Sequence, residues 1–269
     1  MTVYASYCLT SVAASVAHIM GFDPPHSAGD ANPALDQLAR RTLGGRRVER
    51  TLLYNPDAVA HQLFTRYTDL FLPVLAVAPL ALPLQAVLPS VTPVCFASMY
   101  TGALPEVHGI QAYVKPVLTT DTLFDAALRA GLHPAVVSTS GDSISKIFLE
   151  RPMDYFILDT VEEVNQKAAQ LIEEDRHDLI VVYNGNYDAT MHRFSPESPE
   201  ALHELQANVD AFSHLATLAQ LHWAHHDTLL AFAPDHGCHP IDGGLGSHGL
   251  DMPEDMLIPH FYGILPRTI

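Results

Sequence analysis

Residues 179–192 read LIVVYNGNYDATMH, and residues 228–237 read TLLAFAPDHG. In each stretch a short apolar run stops abruptly at Asn, Asp and His, the pattern of a strand buried on both faces that ends in a polar loop. Similar runs recur, and residues 50–54, 84–88, 134–138, 155–158, 179–183, 228–233 and 258–264 are read as strands. Stretches with helical spacing lie among them at 56–70, 93–101, 122–130, 161–174 and 199–223. This alternation predicts an α/β fold: one doubly wound, mainly parallel sheet with helices on both faces. No obvious insertion between strands is available to build a large cap domain. Residues 1–45, which contain Asp23-Pro24-Pro25, Asn32-Pro33 and Gly44-Gly45, are read as a helical or irregular lead-in, and 46–269 as a single domain.

With 269 residues, 48% of them hydrophobic, the chain can bury a sizeable core, so a disordered or fibrous protein is excluded. Its 14 Lys+Arg against 30 Asp+Glu give a formal charge of −16, which argues against a nucleic-acid duplex as partner. Any phosphate bound by so acidic a chain needs help from a metal. Three widely spaced cysteines, Cys8, Cys95 and Cys238, form neither a disulfide framework nor a CxxC zinc site, which suits a cytoplasmic location. The first basic residue is Arg40, so no signal peptide is read at the start. The most apolar run, 70–91, carries Pro73, Pro79, Pro83 and Pro89, which would break a membrane-spanning helix repeatedly. No membrane partner is expected, and a homodimer is left open.

Ligands of a doubly wound sheet gather beyond the carboxyl ends of its strands. Run 50–54 leads into Asn55-Pro56-Asp57, and run 84–88 into Pro89-Ser90-Val91-Thr92-Pro93. Run 179–183 leads to Asp188 and His192, and run 228–233 to Asp235-His236, with His248 following in a Gly-rich loop. A lone Asp-x-x-x-His means little, since it occurs at 57/61, 188/192, 210/214 and 235/239, and the 210/214 pair lies within a helical stretch as a solvated face. Chance does not readily place Asp57, Thr92, Asp188, His192, Asp235, His236 and His248 all at strand ends. Neutral imidazole and carboxylate are zinc ligands that need no thiolate, and carboxylates also suit manganese or magnesium. Two such sets can hold two ions about 4 Å apart, the spacing that stabilises attacking and leaving oxygens at phosphorus. Thr92-Pro93 reads as N-cap and first helical residue, with the hydroxyl and the free helix amides facing an anion.

Several other residues are read as structural. Gly244, Gly246 and Gly249 match a dinucleotide fingerprint formally, but no clear strand precedes them and no βαβ unit surrounds them. His108 is expected to hold its own loop, and His239 to play a supporting or surface role. His222, His225 and His226 sit at a helix end, where the dipole favours histidine. Cys95 is read as core packing, and Ser90 stays open as an alternative nucleophile.

The combination resembles the alkaline phosphatase superfamily, within it the type I phosphodiesterase/nucleotide pyrophosphatase branch, over roughly residues 50–265. The resemblance rests on 89–93 (PSVTP), 100–110 (YTGALPEVHGI), 187–198 (YDATMHRFSPES), 234–237 (PDHG), 246–249 (GSHG) and 254–256 (EDM). It implies that Asp57, Asp235 and His236 hold one metal, with Thr92 as the nucleophile on it, and that Asp188, His192 and His248 hold the second. Two divalent ions, zinc with manganese as alternative, are then the cofactors, and a small-molecule phosphate ester the substrate. Two departures stand out. Relatives acting on nucleotides usually place an Asn shortly after His-Gly-Ile, where this chain has Tyr113 and Lys115, and the strand end before Asp57 lacks the usual glycines. The implied activity is a phosphodiesterase or nucleotide pyrophosphatase, with a phosphomonoesterase or phosphonate hydrolase as alternative. A non-catalytic module binding a phosphorylated ligand is the reading of another class, and metal content with turnover separates them.

Overall fold

The apolar runs form strands β1 (Arg50–Pro56), β2 (Leu80–Gln85), β3 (Pro134–Thr139), β4 (Asp154–Leu158), β5 (Leu179–Asn184), β6 (Thr228–Phe232), β7 (His239–Ile241), β8 (Leu245–Ser247) and β9 (Leu257–Leu265) in a computed structural model that describes residues 2–268. The helices are α1 (Ser11–Met20), α2 (Pro33–Leu43), α3 (His61–Arg66), α4 (Leu72–Val77), α5 (Thr92–Thr101), α6 (Pro105–His108), α7 (Leu123–Arg129), α8 (Ile144–Ile147), α9 (Val161–Glu174), α10 (Asn186–Phe194), α11 (Pro199–His222) and α12 (Pro253–Met256). Seven strands form one sheet in the order β2-β9-β6-β1-β5-β3-β4, and β7 and β8 form a separate hairpin. Within the seven-stranded sheet pairing is parallel except where β9 runs antiparallel to both β6 and β2. The carboxyl ends of β1, β2, β5 and β6 therefore share one edge.

Side chains along a strand alternate between the two faces, and the central strands feed two cores. Leu53, Val181, Leu229 and Ala231 join Val16, Phe96 and Phe124 on one face. Leu52, Tyr54, Ile180, Val182, Leu230 and Phe232 join Phe212 and Trp223 on the other. The doubly wound, mainly parallel α/β sheet expected from the sequence is thus present, and among the described residues no large cap covers its carboxyl edge. Residues 1–45 contribute α1 and α2. Nine of the ten residues of α1 are buried, and it packs against α2, α5 and α7 as part of the first core. No helix among the described residues is long and apolar enough to cross a membrane.

Three local expectations need correction. The strand expected at 84–88 is β2 at Leu80–Gln85, an edge strand that accommodates Pro83 because an edge position can spare an N–H. The helix expected at 56–70 does not exist as one element. Pro56 ends β1, α3 stops at Tyr67 (φ −117°, ψ 43°), a 3-10 turn spans Thr68–Phe71, and α4 restarts with Pro73 in its first turn. Thr92 is not the N-cap of α5. Val91 holds that extended position and Thr92 is the first helical residue, one step further in.

Candidate metal centre

The seven residues picked from strand ends converge in two groups. Asp57 follows β1, its N–H donating to the Asn184 carbonyl at the end of β5 (3.0 Å). Asp235 and His236 follow β6, and these three residues each direct one donor atom to a common point, the atoms lying within 4.8 Å of one another. Asp188 and His192 stand one turn apart on α10 and meet His248, just beyond β8, in a second group of the same kind. The His236 and His248 rings bring the groups face to face, with centroids 4.1 Å apart. Thr92 Oγ1 lies 3.3 Å from Asp57 Oδ2 and 3.3 Å from His236 Nε2, so it belongs to the first group.

Each ligand imidazole has Nδ1 on a backbone carbonyl: His192 on Gly246 (2.9 Å), His236 on Gly237 (2.9 Å) and His248 on Ser90 (3.0 Å). A carbonyl only accepts, so Nδ1 carries the hydrogen, and in the neutral ring Nε2 presents a lone pair. Those lone pairs face other acceptors. His192 Nε2 and His248 Nε2 are 3.2 Å apart, each 3.3–3.4 Å from Asp188 Oδ1. His236 Nε2 lies 3.3 Å from Asp57 Oδ1 and 3.4 Å from Asp235 Oδ2. Asp57 Oδ1, Asp188 Oδ1 and Asp235 Oδ2 are all buried without a hydrogen-bond partner. These six acceptors, with the Thr92 hydroxyl the one donor placed beside them, fit a cation at each group, and the nitrogen-oxygen ligand set fits zinc or manganese.

Electrostatics agrees. Burial, reinforced by the charge of Asp188, pushes the Asp57 carboxyl up to about 7, and burial with Asp57 nearby raises Asp235 well above the carboxylate range. Burial drives His236 down to about 3. In the second group the hydrogen bond to Asp188 raises His192 to about 9, while Asp188 is held low by His192 and His248 against the opposing effect of its burial. Without ions, protons must relieve the crowding of acceptors; a divalent cation does so by displacing them.

Tyr183, Asn55, Tyr100 and His260 are supports that sequence reading missed. Tyr183, beside Asn55 in the β1–β5 register, donates its hydroxyl in a very short bond to Asp57 Oδ2. Asn55 is buried, donating to the Ala233 carbonyl (2.6 Å) and accepting from the Tyr100 hydroxyl (2.5 Å), which ties β1 to the end of β6. His260 Nε2 lies 2.7 Å from the Pro234 carbonyl and fixes the turn into Asp235. Asn55 and Tyr183 carry one sequence signal, their place at the ends of apolar runs, whereas Tyr100 lies within α5 and His260 within β9.

The expected first-turn anion donors of α5 are fewer than anticipated. Pro93 has no N–H, and the amides of Val94 and Cys95 are both taken by the Val91 carbonyl at 3.0 Å. Ser90 contributes its carbonyl to His248. Cys95 is buried, its thiol pushed up by burial, as expected of core packing. His108 bonds Ser98 Oγ (2.9 Å) and accepts from the Ile110 amide (3.2 Å), holding its own loop. Lys115 donates to the Gly141 carbonyl (2.9 Å) and lies over the Tyr113 ring. The dinucleotide-like glycines fall in the β7–β8 hairpin region, where Gly246 packs on Met191. A cavity of about 670 Å³ between α1 and α2 contains none of these candidate ligands.

The fold these ligands occupy is an alkaline-phosphatase-like one. Murine ectonucleotide pyrophosphatase/phosphodiesterase 5, an inactive variant in complex with AMP, superposes with a TM-score of 0.57 at 17% identity over 72% of this chain and 59% of that one. The human protein gives 0.58 at 16% over 71% and 57%, so the chain spans less than two thirds of the length of these relatives. The periplasmic domain of the phosphoethanolamine transferase EptC from Campylobacter jejuni gives 0.55 at 14% over 81% and 80%. Phosphonoacetate hydrolase from Sinorhizobium meliloti with bound phosphonoacetate gives 0.52 at 18%. No protein-family model and no curated protein matches the sequence.

Proposed function

We propose that this chain is a two-metal hydrolase of small phosphate esters with Thr92 as nucleophile, acting in the manner of the type I phosphodiesterase/nucleotide pyrophosphatase branch. The observation that carries the reading is the Thr92 hydroxyl, 3.3 Å from Asp57 and from His236 within one donor group, while a second group faces it. Asp57, Asp235 and His236 would hold one ion, and Asp188, His192 and His248 the other; zinc suits the imidazole-carboxylate mix, with manganese as alternative. When bound, such ions lower the pKa of the nucleophilic hydroxyl and offset charge on the phosphoryl oxygens.

The chain's own residues supply the rest. Tyr183 fixes Asp57 by donating to Oδ2, the oxygen nearest Thr92. Thr92 Oγ1 bonds to phosphorus as the ester P–O bond breaks on the opposite side and the alcohol departs. A water then attacks the phosphothreonine, its oxygen passing to the product while the Thr92 oxygen regains its proton. Structural neighbours that handle AMP and phosphonoacetate support the reading at the level of phosphoryl chemistry. The cytoplasmic setting belongs to the same proposal and rests on the sequence, whose three cysteines are widely spaced and odd in number.

The test is turnover of a diester and a monoester of the same nitrophenol by zinc- and manganese-loaded protein. Faster diester cleavage is expected. Faster monoester cleavage would make it a phosphatase, and two bound ions without turnover of either ester would favour the binding module.

A further inference from the structure

His236 and His248, one from each donor group, lie on the same excursion of chain between β6 and β9, and a single buried carboxylate ties that excursion together. Asp255, on α12, is fully buried. Its Oδ1 accepts from His239 Nδ1 at 2.6 Å, and its Oδ2 accepts from the Leu250 amide at 2.8 Å. Its backbone carbonyl accepts from the Gly237 amide at 2.8 Å. The Gly237 carbonyl, in turn, receives His236 Nδ1. His239 pairs with Ser247 in the β7–β8 hairpin, so it sits opposite the residue just before His248. No lysine or arginine is bonded to Asp255; both carboxylate oxygens are spent on positions 239 and 250.

We infer that the His239–Asp255 pair is a positioning device that sets the separation of the two metal groups. One side of the clamp, through Gly237 and His239, carries His236; the other, through Leu250 and the hairpin partner Ser247, carries His248. Neither His239 nor Asp255 is a ligand in either group. Their role is to hold both ligand-bearing segments against α12, so that the Nε2 atoms of His236 and His248 arrive at fixed points. Releasing His239 lets the hairpin move relative to residues 235–237, and the donor sets lose their common geometry. Partners that orient metal ligands from behind typically account for 10–100-fold in affinity. This inference rests on the metal reading above.

The experiment is calorimetric titration of zinc into chelator-stripped full-length protein, comparing wild type with His239→Leu and His239→Asn. Asn places an N–H donor close to where Nδ1 stands, whereas Leu removes it. Wild type is expected to bind two ions, His239→Leu to bind at least one of them about tenfold or more weakly, and His239→Asn to stay near wild type. Unchanged affinity in His239→Leu would overturn the clamp, as would equal losses in both variants, since the donor to Asp255 would then not be what matters. If His239→Leu does not fold, Asp255→Asn takes its place in the same titration, with the same expected loss. A wild-type protein that binds no zinc would instead defeat the metal reading itself, and the clamp with it.

Discussion

Thr92 and His260 show how much hangs on single side chains near the carboxyl edge. Thr92→Ala is expected to lower ester turnover by at least about 10³-fold while leaving two ions bound, because its hydroxyl is not one of the six His and Asp donors. Retained turnover with normal metal content would move the nucleophile elsewhere. His260 makes a pH prediction. Its ring is fully buried, burial lowers its pKa to about 4, and the unfolded value is near 6.5. Between those values the unfolded chain takes up a proton that the folded chain refuses, so stability is full above about pH 6.5 and falls as the pH drops, levelling off below about 4. The loss is about 3 kcal/mol, and His260→Gln should flatten that part of the stability profile in urea titrations of metal-free protein. At this scale the candidate ligands could be picked out because Asp and His stand out against apolar runs. Tyr183 and Asn55 were not, since a tyrosine or asparagine ending a strand reads as ordinary core or turn until its partner is known.

Elements with a strong period were readable within a residue or two. The helix expected at 161–174 is α9, with Thr160 and Glu163 forming the capping box that marks its start. Strand 179–183 extends by one residue in β5, and all of β5 is buried. Legibility failed where prolines and short runs left several options open. The 70–91 run became the end of a 3-10 turn, a helix, an edge strand and a loop, and only pairing with β9 decided which residues form β2. Helix α10 was missed because Asn186, Tyr187 and Asp188 read as loop, although the 188/192 spacing that picked out two ligands is itself a helical turn. The loop after β6 depends on close approach. A Cβ on Gly237 would lie 1.9 Å from the Glu254 carbonyl oxygen and 2.9 Å from the Ala60 methyl. Gly237→Ala is therefore expected to cost about 2–3 kcal/mol, read as a lower urea midpoint, and a midpoint like wild type would mean that the segment yields easily.

For the whole molecule, the proposed two-metal reading makes cations a source of folding stability, since acceptors crowd in two groups. Ions that bind only the folded state raise its stability by mass action. Two sites filled at a hundredfold excess over Kd contribute about 5 kcal/mol, or roughly 10–20 °C in Tm for a domain of this size. Scanning calorimetry with zinc and then with a chelator should show that rise and its reversal, and an unchanged Tm would count against both groups as metal sites. The sheet order carries a further consequence, for the history of the chain as it is made. β9 follows every other strand of this sheet in the chain, yet it lies between β2 and β6, so strand β2 emerges about 175 residues before the neighbour that holds it in the sheet. Until then the β6 edge is an open template for other chains. Chains cut short before Leu257 are expected to aggregate rather than fold into a smaller stable domain, and light scattering of such a truncation would show it.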